Sequence, residues 1–186
     1  MKVLFIGDIF GEPGRRAVAR AVPKLVAQRQ VDIVIGNGEN AAGGFGITPE
    51  LAEELFDLGL AVITTGNHAW DKKEILDYFP REPRLLRPAN YPAGVPGNGS
   101  YVVETPGGEK LAVLQLMGRA YMPTLDCPFQ VAKREVAKLK RETAAVLVGI
   151  HAEEKSEKMA MGHYLDGDVI AVVGTHTHVQ TADEQI

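Results

Sequence analysis

Asp8, Glu39, Asn40, Asn67, His68, His151, His176 and His178 are side chains of the types that bind divalent cations or carry protons, and each closely follows a short aliphatic run. Residues 3–6 lead to Gly7-Asp8, residues 31–35 to Gly36-Asn37-Gly38-Glu39-Asn40, and residues 60–63 to Thr65-Gly66-Asn67-His68. Residues 146–148 lead through Gly149-Ile150 to His151, and residues 169–173 to Gly174-Thr175-His176-Thr177-His178. Carboxylate and amide oxygens with imidazole nitrogens suit a pair of water-binding cations, provided one oxygen ligand is shared between them. Glu39 is the choice for that bridge. Asp8 and His178 complete a first position with Asn40, while Asn67, His151 and His176 complete a second. In an extended segment His176 and His178 would point in alternate directions, which suits neighbouring positions. Two cations roughly 3.5–4 Å apart hold and acidify one water, orient it for in-line attack and neutralise charge on phosphorus. His68 is the candidate donor of a proton to the leaving oxygen.

Each residue also has a plainer reading. Asp8 can cap the next helix, Glu39 and Asn40 can be turn residues in a Gly-rich loop, and Asn67-His68 can be a turn with a surface imidazole. Their joint placement at five strand exits favours a site, because ligands of α/β sheets gather outside the carboxyl ends of strands. His163 lies inside a short helix and reads as structural or exposed. Gly7, Gly11 and Gly14 do not have the dinucleotide-binding spacing, and no Lys-Ser/Thr pair completes a phosphate loop.

The elements that must position these residues repeat as strand, polar loop and helix. Residues 8–14 read as a loop before a helix carrying Ala17, Val18, Ala21, Val22, Leu25 and Val26, with Pro23 as a kink or break. Thr48 caps a second helix with Pro49 in its first turn and Gly59 beyond its end. Asp71 and Glu74 form a capping-box pattern for a third, short helix reaching Phe79 before Pro80. Residues 84–90 read as a strand, and residues 101–103 and 111–114 as a hairpin around Pro106-Gly107-Gly108. That antiparallel pair predicts an addition to the parallel sheet or a second sheet. Residues 118–128 read as loop, Ala132, Val136 and Leu139 as a helical stripe, and residues 157–165 as a short helix.

The chain of 186 residues is 45% apolar and 24% charged, ample for a globular core, and one domain over residues 1–186 is expected. A net charge of -4 with dispersed basic residues gives no strong nucleic-acid or anionic-membrane signal. No run is long and apolar enough for a membrane span, and the short stretch before residues 3–6 leads to the expectation of no leader. Cys127 is the single cysteine and reads as a half-buried core residue; a cytoplasmic protein is expected.

Taken in order, Gly7-Asp8, Gly66-Asn67-His68, His151 and Gly174-Thr175-His176-Thr177-His178 resemble the motifs of the calcineurin-like metallophosphoesterase superfamily. Residues 36–41, His151-Ala152-Glu153, Ser156-Glu157-Lys158 and residues 175–183 resemble more narrowly its bacterial YmdB-type branch. The resemblance covers essentially the whole chain. It implies an α/β/β/α sandwich and a dinuclear centre with Asp8, Glu39, Asn40, Asn67, His151, His176 and His178 as ligands and His68 as acid. It further implies iron or manganese, with zinc or magnesium as alternates, and phosphodiester substrates that include 2′,3′-cyclic nucleotides. The wider superfamily has histidine where this chain has Phe10, which the branch tolerates. The branch has Asp-Phe where this chain has Gly149-Ile150, predicting weaker support behind His151. Family members continue past the match to His178, so the domain is expected to be incomplete at its C-terminal side, with uncovered sheet edges and a tendency to form homo-oligomers.

The expected activity is therefore metal-dependent hydrolysis of a small phosphodiester by metal-activated hydroxide. A phosphomonoesterase, or a metal-dependent nucleotide-binding regulatory or scaffold protein with little turnover, are the alternatives.

Overall fold

The computed structural model describes residues 1–105 and 107–186. The tip of the expected 101–114 hairpin at Pro106 lies outside the described residues.

The first half alternates strand and helix: β1 (Val3–Asp8), α1 (Gly11–Arg29), β2 (Ile33–Asn37), α2 (Pro49–Asp57), β3 (Val62–Thr64) and β4 (Leu85–Leu86). These four strands lie in sequence order in one parallel sheet. The second half contributes β5 (Ser100–Glu104), β6 (Lys110–Met117), α3 (Pro128–Leu139), β7 (Val146–His151), α4 (Lys155–Tyr164) and β8 (Ala171–Thr175). Its sheet has the order β5-β6-β7-β8, with β5 and β6 antiparallel and the other pairs parallel. The antiparallel pair thus belongs to a second sheet, one of the two arrangements its sequence allowed.

Alternation along the strands explains the layering. Leu4, Ile6, Val34 and Ile63 face one way and pack with Val18 and Val22 of α1 and Ala52, Leu55 and Phe56 of α2. Their neighbours Val3, Phe5, Ile33, Ile35 and Val62 face the other way and meet Leu111, Val113 and Leu147 of the second sheet. Ala112, Leu114, Val146, Val148 and Ile150 complete the second sheet's outer face under α3 and α4. The result is the α/β/β/α sandwich. Strands covered on both faces are apolar along their length, as Ile33, Val34 and Ile35 of the wholly buried β2 show, with polar Asn37 only at its exit.

Thr48 caps α2 as expected, its Oγ1 accepting from Leu51 N at 3.4 Å. Four local expectations are corrected. Helix α1 begins at Gly11, because Gly11 N donates to Asn40 O at 2.9 Å and anchors the first turn, where Pro13 does no harm. It then continues through Pro23 as one element. The helix expected from Asp71 to Phe79 shrinks to a 3₁₀ turn, Lys73–Ile75, with no side-chain cap, because the Asp71 carboxylate is engaged by His68. The strand expected over residues 84–90 is only β4: beyond Leu86 the chain crosses sheets, with Ala89 N donating to Gln115 O at 2.7 Å. Finally, His176 and His178 are not extended, having φ of 105° and 52°. No helix among the described residues is long and apolar enough to cross a membrane.

Candidate metal centre

Every parallel strand delivers its carboxyl end to one side of the sandwich, and the expected site residues sit there. Asp8 ends β1, Glu39 and Asn40 follow β2, and Asn67 and His68 follow β3. His151 ends β7, and His176 and His178 follow β8. Glu39 and His151 are fully buried at 0% exposure, which only a matched polar environment makes tolerable.

Two groups of donors meet at Glu39. In one, His151 Nε2 lies 2.9 Å from Glu39 Oε1, 2.9 Å from Asn67 Oδ1 and 2.9 Å from His176 Nδ1. In the other, Asn40 Nδ2 lies 3.4 Å from the same Glu39 Oε1, 3.5 Å from Asp8 Oδ1 and 3.2 Å from His178 Nε2. His178 Nε2 is itself 3.6 Å from Asp8 Oδ1. The structure therefore brings all seven expected ligand residues into one contiguous cluster.

Protons alone serve this cluster poorly, and that is the physical test of whether cations fit. One imidazole N–H cannot satisfy three partners around His151 Nε2, whereas a cation is held by several lone pairs at once. Asn40 Nδ2 has two hydrogens for three facing acceptors, while its Oδ1 is buried without a partner among the described residues. Turning that amide over directs its oxygen at Asp8, Glu39 and His178, an arrangement favourable only around positive charge. The mixed nitrogen and oxygen donor set, without sulfur, matches divalent ions of the iron, manganese or zinc kind. The ligand atoms of Glu39, His151 and His176 all lie within 4.8 Å of one another.

Burial pushes the Glu39 carboxyl up, but its bonds and charge interactions with His151 and His68 outweigh burial and hold it below the ordinary carboxylate range. Glu39 is therefore ionised at neutral pH. Burial and the neighbouring His151 push His176 below the ordinary imidazole range, so it presents a neutral ring with a lone pair.

Several supporting residues escaped the sequence reading. His151 Nδ1 lies 2.9 Å from Thr175 Oγ1 and 3.2 Å from Asn37 Nδ2. With the proton on Nδ1 and donated to Thr175, Nε2 is left as the ligand atom. Asn37 Oδ1 accepts from Glu39 N at 3.0 Å and its Nδ2 donates to Thr175 Oγ1 at 3.3 Å, so one amide positions Glu39 directly and His151 through Thr175. Glu153 Oε2 lies 2.9 Å from His176 Nε2, and Asp71 Oδ2 lies 2.7 Å from His68 Nδ1. His68 N donates to Glu39 Oε2 at 3.4 Å. Sequence proximity was a usable signal for Asp71, three residues after His68, and for Glu153, two after His151. Gly66 has a steric reason: a Cβ there would collide with the His151 ring.

The departure at Gly149-Ile150 has a structural counterpart. Ile150 is buried in the outer core of the second sheet. Gly149 lies against the Gln115 amide, whose Oε1 occupies the place of a Cβ. Gln115 Nε2 donates to Thr65 O at 2.7 Å, tying the second sheet to the strand exit that carries Asn67 and His68. His163 is exposed and Cys127 half-buried, as their sequence contexts indicated.

The two-sheet sandwich with carboxylate, amide and imidazole side chains at its strand exits defines a metallophosphoesterase of the calcineurin-like type. Within that class the chain belongs to the YmdB-like protein family, whose model matches residues 4–186. It is 49% identical over 186 residues to the 2′,3′-cyclic-nucleotide 2′-phosphodiesterase of Bacillus subtilis, covering 100% of this chain and 70% of that protein. A putative phosphatase/phosphodiesterase of Mycoplasma genitalium is 33% identical and matches 100% of this chain and 67% of its own length. Among solved structures, a hypothetical protein from Thermus thermophilus superposes with a TM-score of 0.91 at 46% identity, over 100% of this chain and 71% of that one. A novel phosphatase from Mycoplasma pneumoniae gives a TM-score of 0.89 at 35% identity, over 98% of this chain and 66% of that one.

Proposed function

We propose that the chain hydrolyses phosphodiesters, with a 2′,3′-cyclic nucleotide as substrate, at a dinuclear centre bridged by Glu39. The observation that carries this reading is that Glu39 Oε1 belongs to both donor groups, lying 2.9 Å from His151 Nε2 and 3.4 Å from Asn40 Nδ2. Asp8, Asn40 and His178 would hold one divalent ion, and Asn67, His151 and His176 the other. When bound, such ions lower the pKa of a shared water and neutralise charge developing on phosphorus. Iron or manganese is the choice within a donor set that also admits zinc.

The remaining work falls to the chain's own groups. Asp71 holds His68 by Nδ1 at 2.7 Å and so leaves Nε2 to protonate the departing ester oxygen. The water adds to phosphorus as hydroxide after losing a proton to solvent, the P–O bond to the ribose oxygen breaks, that oxygen leaves with the His68 proton, and His68 is reprotonated from solvent. Cleavage on the 2′ side follows the name of the Bacillus relative. A second reading, phosphomonoester hydrolysis, is favoured by the "phosphatase" in the names of the Mycoplasma relatives. The deciding assay uses the purified chain with Mn(II) or Fe(II) against 2′,3′-cyclic AMP, bis-p-nitrophenyl phosphate and p-nitrophenyl phosphate. Diester turnover abolished by Asp8→Asn and His178→Ala is expected, and turnover of the monoester alone would overturn the diesterase reading in favour of the second.

A further inference from the structure

Two large aromatic rings stand exposed at the rim of the centre, Phe10 at 49% and Phe45 at 58%. Phe10 follows β1 two residues after Asp8, and Phe45 sits in the loop that follows Glu39 and Asn40. Phe10 meets the His178 ring at a centroid separation of 5.6 Å and an interplanar angle of 75°. Phe45 meets His68 at 5.1 Å and 74°. Each ring is thus braced edge-to-face on an imidazole of the site, Phe10 on the donor His178 and Phe45 on the proton carrier His68. The Phe10 ring also packs onto the side of Gly44 that lacks a Cβ, so the two rings border the same short segment.

An edge-to-face contact occupies at most one face of a phenyl ring, and leaving this much apolar surface in water is unfavourable. Through these imidazole contacts both rings stand next to the residues that would hold and protonate a phosphoester. A nucleotide bound by its phosphate carries a flat aromatic base one ribose away, and such bases stack on exposed aromatic side chains without regard to sequence. We propose that Phe10 and Phe45 form a stacking platform for the nucleobase of the substrate, making the site selective for nucleoside phosphoesters over base-free ones. This rests on the phosphodiester reading above.

The test compares 2′,3′-cyclic AMP with glycerol 1,2-cyclic phosphate, which has the strained diester and no base, in wild type, Phe10→Ala, Phe45→Ala and Phe45→Trp. The ratio of kcat/KM for the two substrates is expected to fall about tenfold in each alanine variant, the worth of one base–aromatic stack, and to recover in the tryptophan variant. An unchanged ratio, or loss that is equal for both substrates, overturns the platform. So does a change in sedimentation from a larger to a smaller species with the ratio unaltered, which would make the rings a contact between copies. Failure of wild type to cleave either diester sinks the phosphodiester reading instead. Binding of 3′-AMP against glycerol 2-phosphate, measured calorimetrically with Mn(II) present, then decides the platform separately. It stands if wild type prefers 3′-AMP and the alanine variants do not, and falls if wild type shows no preference.

Discussion

At the scale of single residues, the centre is defined by what its atoms lack. Asn40 Oδ1 is buried without a partner among the described residues, and His151 Nε2 is shared among three groups at 2.9 Å. Glu39→Gln keeps the shape and removes the charge that two cations would share; diester turnover should fall by at least a hundredfold. The Mn(II)-induced rise in melting temperature should vanish with it, and a variant that retains that rise would show that Glu39 is not a ligand. His68 makes a different prediction. A general acid contributes about 10²–10⁴-fold where the leaving oxygen needs a proton, and much less where it leaves readily as an anion. His68→Ala should therefore slow 2′,3′-cyclic AMP far more than bis-p-nitrophenyl phosphate. Equal losses on the two substrates would remove His68 from the role of acid. Asp71→Ala, acting through His68, should show the same substrate dependence at smaller amplitude.

At the scale of elements, contacts between strands and their exits explain departures from simple patterns. Gln115 on β6 fills the space over Gly149 on β7 and donates to Thr65 O beyond β3. Gly149→Ala overpacks that space and should cost about 1–3 kcal/mol. Gln115→Ala strands the Thr65 carbonyl at a similar cost of about 1–3 kcal/mol. Combined, the two should cost clearly less than their sum, since the small side chain at 115 relieves the clash; urea denaturation of the four proteins measures this coupling. The entry to β4 is held by Arg84, which donates to Glu82 through Nε at 2.8 Å and Nη2 at 2.6 Å and lies over the Phe56 ring of α2 at 4.0 Å. Its hydrogen bonds hold the Glu82 carboxyl below the ordinary value of 4.5. A depressed carboxylate contributes stability that is present above the unfolded value and lost as pH falls through the folded one. The stability difference between wild type and Arg84→Ala should accordingly be greatest near neutral pH, about 1 kcal/mol after solvent screening, and shrink as pH falls below about 4.5.

At the scale of the whole molecule, the two sheets share an inner apolar layer, and the centre takes its donors from both. Asp8, Glu39, Asn40 and Asn67 come from exits of the first sheet, and His151, His176 and His178 from the second. Cations bound there should therefore clamp the two halves together. We expect one cooperative unfolding transition, raised by Mn(II) and lowered by chelator, with about 2.7 kcal/mol of added stability at a hundredfold excess over Kd. Two separate calorimetric transitions, only one of them sensitive to metal, would show that the halves unfold independently. Leu111→Ala, in the layer between the sheets, should cost about 2–5 kcal/mol without splitting the transition.

Apolar strand runs ending in Asp, Glu-Asn, Asn-His and His-x-His were enough to read an alternating α/β chain and to gather the donor residues at one end, because strand period and exit position are local properties of the chain; the layering in two sheets came only from the family resemblance. The capped helix α2 was equally legible, since Thr48 and Pro49 act within one turn. What the sequence could not determine was set by distant partners. Gly11 joined α1 through Asn40 and residues beyond Leu86 crossed to the other sheet, whereas Asp71 left the helix cap for its near neighbour His68. His176 N donates to Asp8 Oδ2 at 3.0 Å, 168 positions away, and its backbone is held at a φ of 105° that local preference disfavours. The grouping of donors on either side of Glu39 follows the one expected from the chain; tertiary structure alone decided which atoms meet, Glu39 Oε1 with both His151 Nε2 and Asn40 Nδ2, and that Thr175 stands behind His151, because such contacts depend on which side chains from two sheets reach the same few ångströms.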